Sequence, residues 1–181
     1  FHFAAQPGIS STVSFEDYER NNIIATKRVL DAAQTAQTLK CFVNIATSSV
    51  YGRHATDTED AAPKPTSNYG VTKLAAEQLV LARTREQGFP GLSIRPFSVC
   101  GERERPEKLY HKLIKVILED QEFPLFEGSR EHVRSFTYVG DIVIGCMLAV
   151  EKRDVSVGEI FNIGSNTPNT TDEGLEIIQD I

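Results

Sequence analysis

No stretch of the 181 residues approaches the roughly 20 consecutive apolar positions that cross a bilayer as a helix, and mean hydropathy is −0.24. That excludes a membrane protein of the helical kind. Cysteine is scarce: the three residues, Cys41, Cys100 and Cys146, have no short spacing and form neither a disulfide framework nor a zinc cluster. A reducing, cytoplasmic setting fits that usage. His2, His54, His111 and His132 lack metal-ligand spacing, so no metal is expected. Dense basic runs are missing too, and the net charge of −6 argues against nucleic acid as the main partner, although a few local Arg residues suffice for a small anion. There is no internal repeat and no low-complexity linker. What remains is an ordinary soluble composition, 40% apolar and 24% charged, with the length of one domain or slightly more.

Strand and helix patterns alternate along the first half. Phe1 to Ala5 reads as the end of a buried strand closed by Gln6-Pro7-Gly8. From Phe15 to Gln37 the chain lacks Gly and Pro, and Tyr18, Asn22, Ala25, Val29, Ala33 and Ala36 recur as one helix face. Cys41 to Ala46 is a short apolar strand of the kind buried on both faces of a parallel sheet. The polar segment from Arg53 to Asn68 is too long for a simple connector and is a candidate functional loop. Asn68 offers an N-cap for a helix that Gly88 ends, and Leu92 to Pro96 reads as a third buried strand. Parallel strands joined by helices are the economical arrangement for this order. The second half is less regular, with helices expected at Glu107–Glu119, Asp141–Glu151 and from Thr171, and strands at Phe123–Phe126, Arg134–Val139 and Glu159–Ile163. Leu109, Leu113, Val116 and Ile117 mark the face of the first of these helices. The class is α/β, a parallel sheet with a smaller appended lobe.

Tyr69 and Lys73 stand four apart at the start of the second helix, so they share a face. A free phenol ionises near pH 10, and a cation within about 4–6 Å lowers that by roughly 1–3 units, which brings a tyrosinate base for alcohol deprotonation within reach. The helix N-terminus favours the same anion. The run Thr47-Ser48-Ser49-Val50-Tyr51-Gly52 follows a buried strand directly, and the carboxyl ends of strands are where ligands collect in α/β sheets. Each part also has a plain reading, an exposed Lys over an aromatic ring or a solvated Ser/Thr turn. The combination of strand-end hydroxyls, loop and Tyr–Lys pair is rarer than any part.

With these segments the chain resembles the extended short-chain dehydrogenase/reductase family, specifically its NAD-dependent sugar-nucleotide epimerase/dehydratase group, nearest to UDP-glucuronate and UDP-glucose 4-epimerases. The likeness runs through Phe1 to Gln6, Asn21-Asn22, Thr47 to Gly52, Tyr69-Gly70-Val71-Thr72-Lys73, Arg95-Pro96-Phe97, Arg134 to Val139 with Asp141, and Phe161-Asn162-Ile163-Gly164. It implies Tyr69 as the catalytic base, Lys73 as its support and a ligand of the nicotinamide ribose, and Thr47 as the catalytic hydroxyl. It also implies Ala4, Ala5 and Asn22 along the dinucleotide, Ser48, Ser49 and Ser98 at the sugar, and Arg134 on the nucleotide pyrophosphate, where a guanidinium fork meets phosphate oxygens bidentately. Cys100 stands where the family often has Tyr. Dehydratases of the group usually carry Asp and Glu where this chain has Ser48 and Ser49, so the resemblance favours epimerisation: Tyr69 takes the proton of the sugar 4-hydroxyl, hydride leaves C4 for NAD, and the 4-keto sugar turns over before hydride returns to the other face.

The family's opening strand and glycine-rich turn, which cradle the pyrophosphate of the cofactor, have no counterpart among the twelve scattered Gly. The expectation is a fragment: residues 1–98 as the C-terminal half of a Rossmann-type, doubly wound NAD-binding domain, and 99–181 as part of a substrate lobe with strands returning to the main sheet. Such a fragment is expected to be silent alone. A non-catalytic remnant or interaction subunit, or a carbonyl reductase of the same family, are the competing readings. The resemblance further implies a homodimer through helices 15–37 and 69–87, with Val71, Ala75, Leu79 and Ala82 beside Ala76 and Val80 forming a wide apolar stripe.

Overall fold

A computed structural model describes residues 1–52, 57–125, 127–131 and 133–179. His54 and His132 lie outside the described residues. The chain divides into two compact units, one of Phe1–Phe97 with Val143–Ile163 and one of Ser98–Ile142 with Gly164–Ile181. Among the described residues no helix is long and apolar enough to cross a membrane.

The first unit is built on a parallel sheet of β1 (Phe42–Ile45), β2 (Gly91–Pro96) and β6 (Ile160–Ile163), in the order β1-β2-β6. Ile45 lies opposite Ile94, and Arg95 opposite Asn162. The expected strand at Phe1–Ala5 reduces to one parallel bridge, His2 with Asn44, in which His2 N–H donates to Val43 and Ile45 N–H to His2. Phe1 and Phe3 flank it at 58% and 60% exposure, so this apolar segment pairs with β1 and leaves its phenyl rings uncovered.

The expected helix of residues 15–37 has three parts, α1 (Phe15–Tyr18), a π-helical turn (Glu19–Ile24) and α2 (Ala25–Gln34). Ser14 caps it by accepting from Asp17 N–H, and Glu16 and Asp17 complement the dipole. A π-turn closes i→i+5 bonds and so holds one additional residue. The buried face beyond it is therefore Thr26 and Leu30 rather than Ala25 and Val29, and Val29 is 40% exposed. α3 (Asn68–Gln87) and Gly88 match expectation, except that Ser67 is the N-cap, its Oγ accepting from Gly70 N–H at 3.1 Å. Between α2, β1 and α3 lies an apolar cluster of Leu30, Phe42, Val80 and Phe89, with Ala33, Leu39 and Leu79 packed against it. Buried clusters of this kind supply most of the stabilisation that individual helix propensities cannot.

In the second unit β3 (Ser98–Cys100) pairs in parallel with β5 (Phe136–Tyr138), and β4 (Val133–Arg134) pairs antiparallel with β7 (Asn169–Thr170). The expected strand 134–139 is thus broken at Ser135, whose hydroxyl donates to Ser165 O at 2.7 Å. Residues 123–125 form no strand, and Phe126 lies outside the described residues. α4 (Leu109–Leu118) buries Leu113 but exposes Ile117, and α7 (Thr171–Gln179) packs beside it. α5 (Val139–Glu151) starts two residues earlier than expected, and α6 (Arg153–Ser156) follows it.

Gly52 ends the 3-10 turn Ser48–Tyr51 with φ +89, and a Cβ there would stand 2.5 Å from Lys64 O. Both the backbone angle and the approach of the loop require glycine. Gly52→Ala is expected to lower unfolding free energy by about 1–3 kcal/mol, measured by urea denaturation.

Candidate active site

Strand β1 delivers its carboxyl end to Thr47. That threonine has an extended backbone, and its Oγ1 accepts from Ser49 N–H at 3.2 Å and donates to Ser49 Oγ at 3.2 Å. These bonds curl Ser48–Tyr51 into the 3-10 turn. The first turn of α3 packs on it so closely that a Cβ on Gly70 would meet Ser49 O at 2.7 Å. Tyr69 precedes that glycine, so the hydroxyl turn and the phenol are joined through one backbone contact.

Tyr69 is half-buried, its ring 6.2 Å from that of Tyr18, and lines a cavity of about 270 Å³ with Tyr18, Ile9, Ser10, Thr66, Ser67 and Asn68. One turn further, Lys73 is buried and donates to Ile45 O at the end of β1. Among the described residues this is its one hydrogen bond, which leaves two ammonium N–H groups. Burial pulls the Lys73 ammonium down to about 8, with Glu77 acting in the opposite direction. His2 is lowered by burial and then by Lys73.

Asn22 comes from the π-turn and is fully buried. Its Oδ1 accepts from Gln6 N–H at 2.7 Å, and its Nδ2 donates to Gln6 O and to Thr72 Oγ1, at 3.3 and 3.0 Å. It therefore holds the segment of exposed Ala4 and half-buried Ala5 against α3, next to Lys73. The first unit brings together Thr47, Ser48, Ser49, Tyr69, Lys73, Asn22, Ala4 and Ala5. Ser98, in β3, and Arg134, described through its backbone as the second residue of β4, belong to the second unit. Burial raises the Cys100 thiol and Glu104 adds to it, which disfavours a reactive thiolate.

The sequence reading missed a buried polar chain beneath these residues. Arg95 grips Glu77 with two bonds, Nη2–Oε1 at 2.6 Å and Nε–Oε2 at 2.9 Å, and Ser93 Oγ donates to Oε2 at 3.1 Å. Arg95 Nη1 donates to Tyr51 OH at 2.6 Å, Tyr51 OH donates to Asn162 Oδ1 at 2.9 Å, and Asn162 N–H donates to Glu59 Oε1 at 2.6 Å. Burial opposes the Arg95 charge, and Glu77 and Tyr51 more than restore it. The signal was present in the sequence: an Arg inside the buried run Leu92–Pro96 demands a carboxylate.

The family model for the NAD-dependent epimerase/dehydratase family matches residues 1–164. An uncharacterized UDP-glucose epimerase of Bacillus subtilis (strain 168) is 36% identical over all of this chain, which spans 57% of that protein. UDP-glucuronate 4-epimerase 2 of Arabidopsis thaliana is 28% identical over 98% of this chain, which spans 45% of it. The crystal structure of UDP-glucuronic acid 4-epimerase from Bacillus cereus, in complex with UDP-glucuronic acid and NAD, superposes on 99% of this chain with a TM-score of 0.91 and 35% identity, over 58% of its own length. The chain belongs to the NAD-dependent epimerase/dehydratase family, with the α/β fold that its sequence resemblance implied. It spans about half the length of these relatives, 45% to 58%.

Because Lys73 titrates lower in the fold than its unfolded value of about 10.4, its cation destabilises the fold fully below about pH 8, and the penalty fades as pH rises from there toward 10.4. Lys73→Met is expected to stabilise the chain by about 2 kcal/mol at pH 7, after loss of one hydrogen bond, with the gain shrinking by pH 10 in matched urea titrations.

Proposed function

We propose that this chain carries the proton-transfer half of a UDP-sugar 4-epimerase, with Tyr69 as base, Thr47 as the hydroxyl that binds the same substrate oxygen, and Lys73 as the cation that favours the phenolate. The observation that carries this reading is the lysine: a buried ammonium, fixed to the end of β1, one turn below a tyrosine that lines a cavity. A charge kept in the interior is costly unless it does something there.

The residues fit NAD. Among the described residues two Lys73 N–H groups make no hydrogen bond and suit the ribose hydroxyls, and the small side chains of Ala4 and Ala5, in the segment that Asn22 holds through Gln6, leave room along the dinucleotide. NAD, when bound, supplies the hydride acceptor and donor. Tyr69 accepts the proton of the sugar 4-hydroxyl and returns it, while the Thr47 hydroxyl, turned away from Ser49 Oγ, donates its one proton to that oxygen. Ser48 and Ser49 hydrogen-bond the sugar, Ser98 adds a further sugar contact, and Arg134 meets the UDP pyrophosphate. The setting is cytoplasmic.

The 181 residues hold no glycine-rich pyrophosphate turn, so the isolated chain is silent and the activity belongs to a longer protein containing it. That same absence favours a second reading, a non-catalytic interaction subunit. Incubation of the full-length protein with NAD and UDP-glucuronate or UDP-glucose, with the 4-epimer followed by chromatography, decides between them. Turnover is expected in the longer protein, none in the 181-residue chain, and a loss of at least about 100-fold in kcat for Tyr69→Phe. Unchanged turnover in Tyr69→Phe sinks the mechanism.

A second copy of the chain completes the protein through the π-turn, α2 and α3, where Ile24, Val29 and Val71 stay exposed beside half-buried Ala75 and Leu79. Val71, 45% exposed, is a safe position to alter. Val71→Glu is expected to convert a dimer to monomer in sedimentation-velocity runs with the far-UV circular dichroism spectrum unchanged and a lower thermal midpoint; a monomeric wild type refutes the dimer.

A further inference from the structure

The Glu77 carboxylate has no exposed surface and lies one helical turn beyond Lys73 on the inner face of α3. Three donors hold it: the Arg95 guanidinium through Nε and Nη2, and the Ser93 hydroxyl. Ser93 in turn accepts from Asn44 Nδ2 at 3.1 Å, which ties the carboxylate to both β1 and β2. A residue needed only to neutralise Arg95 could sit anywhere along that side chain. This one sits four residues from the lysine, on the face both share.

We infer that Glu77 is a positioning residue for the Tyr69–Lys73 pair: its clamped carboxylate is the counter-charge that keeps the Lys73 ammonium cationic in the interior, beside Tyr69. The inference rests on reading those two residues as the reacting pair. The other groups facing Lys73 cannot serve. His2, on the N-terminal segment, carries no negative charge and is itself lowered by burial and by Lys73. Ile45, on β1, offers a neutral carbonyl. Arg95, on β2, is a cation. Asp31, on α2, is exposed and spoken for by Lys27 and Arg83. Glu19 and Arg20, on the π-turn, are exposed. Burial lowers Lys73 and Glu77 raises it, in keeping with this assignment.

The Arg95 clamp also reaches the hydroxyl turn. Its remaining nitrogen donates to Tyr51 OH, and the guanidinium carbon lies 5.0 Å from the Tyr51 ring centroid. One buried guanidinium thus fixes the counter-ion of the lysine and the last residue of the Thr47 turn together.

The test reads Lys73 directly, by a pH titration of the full 181-residue chain labelled with ¹³Cε/¹⁵Nζ-lysine and assigned with Lys73→Arg. In Glu77→Gln the Lys73 midpoint is expected to fall by at least one unit, and Glu77→Asp, which keeps the charge, is expected to restore most of it. Should Glu77→Gln fail to fold because Arg95 is left unpaired, the double variant Glu77→Gln/Arg95→Gln replaces the ion pair with a neutral amide pair, and a smaller fall in the same direction is expected, because the Arg95 cation leaves with the carboxylate. A Lys73 midpoint unchanged from wild type in either folded variant overturns the inference, since a merely structural ion pair would lower stability and leave that titration alone. Failure of the epimerase assay with the shift present removes the activity and leaves this assignment standing.

Discussion

A single ammonium group, taken out of water at the end of a parallel strand, sets the terms for the first unit. Lys73 cannot keep its charge there without an oxygen to receive its N–H and an anion to offset its desolvation, and the fold supplies both from different elements, Ile45 O from β1 and the carboxylate of Glu77 from the next turn of its own helix. The carboxylate needs partners in turn, and Arg95 and Ser93 from β2 provide them. Each polar burial thereby forces the next. The chain ends in Tyr51, Asn162 and Glu59, where the loop after the hydroxyl turn is tied to β6.

Two different materials hold this sheet. On the α2 side, Leu30, Phe42, Val80 and Phe89 pack as apolar surface, which is tolerant of small changes in shape. Toward the strand ends the interior is polar and directional, where removing one partner of a buried pair costs about 3–5 kcal/mol because the other is left uncompensated. The directional part coincides with the candidate site.

The parallel sheet and α3 were legible in the sequence because each rests on a local pattern, apolar runs and an uninterrupted helix bounded by Gly88; an i,i+4 spacing put Tyr69 and Lys73 on one helix face, whereas Thr47 was singled out among the strand-end hydroxyls by the family resemblance. The errors fall where a feature depends on distant partners. The face of α2 shifted by one residue because a π-turn leaves no periodic trace, and Thr26, which accepts this burial, reads as polar. Strand 134–139 broke at Ser135 because its partners, β3 and β7, are two or three residues long and carry no alternation. Glu77 and Arg95 were each visible as charges at buried positions, yet their pairing spans 18 residues and two elements, which no spacing rule connects.

The same turn that presents Thr47 bears on which reaction it serves. Elimination of water from a sugar needs a second acid and a second base besides the tyrosine, and hydroxyl groups ionise far too high to act as either near neutrality. Ser49 is also built into the turn: its Oγ accepts from Thr47 Oγ1, which leaves its own O–H to donate elsewhere, its N–H donates to the capping Thr47 Oγ1, and its carbonyl is the surface on which Gly70 rests. A carboxylate at that position would place a negative charge on the turn against which the first turn of α3 packs, and like charges at short range raise the proton affinity of a phenol proposed to act as an anion. A dehydratase accepts that penalty because the extra carboxylate performs a step. Under the proposed epimerisation nothing would offset it, and two neutral hydroxyls suit the single base proposed above.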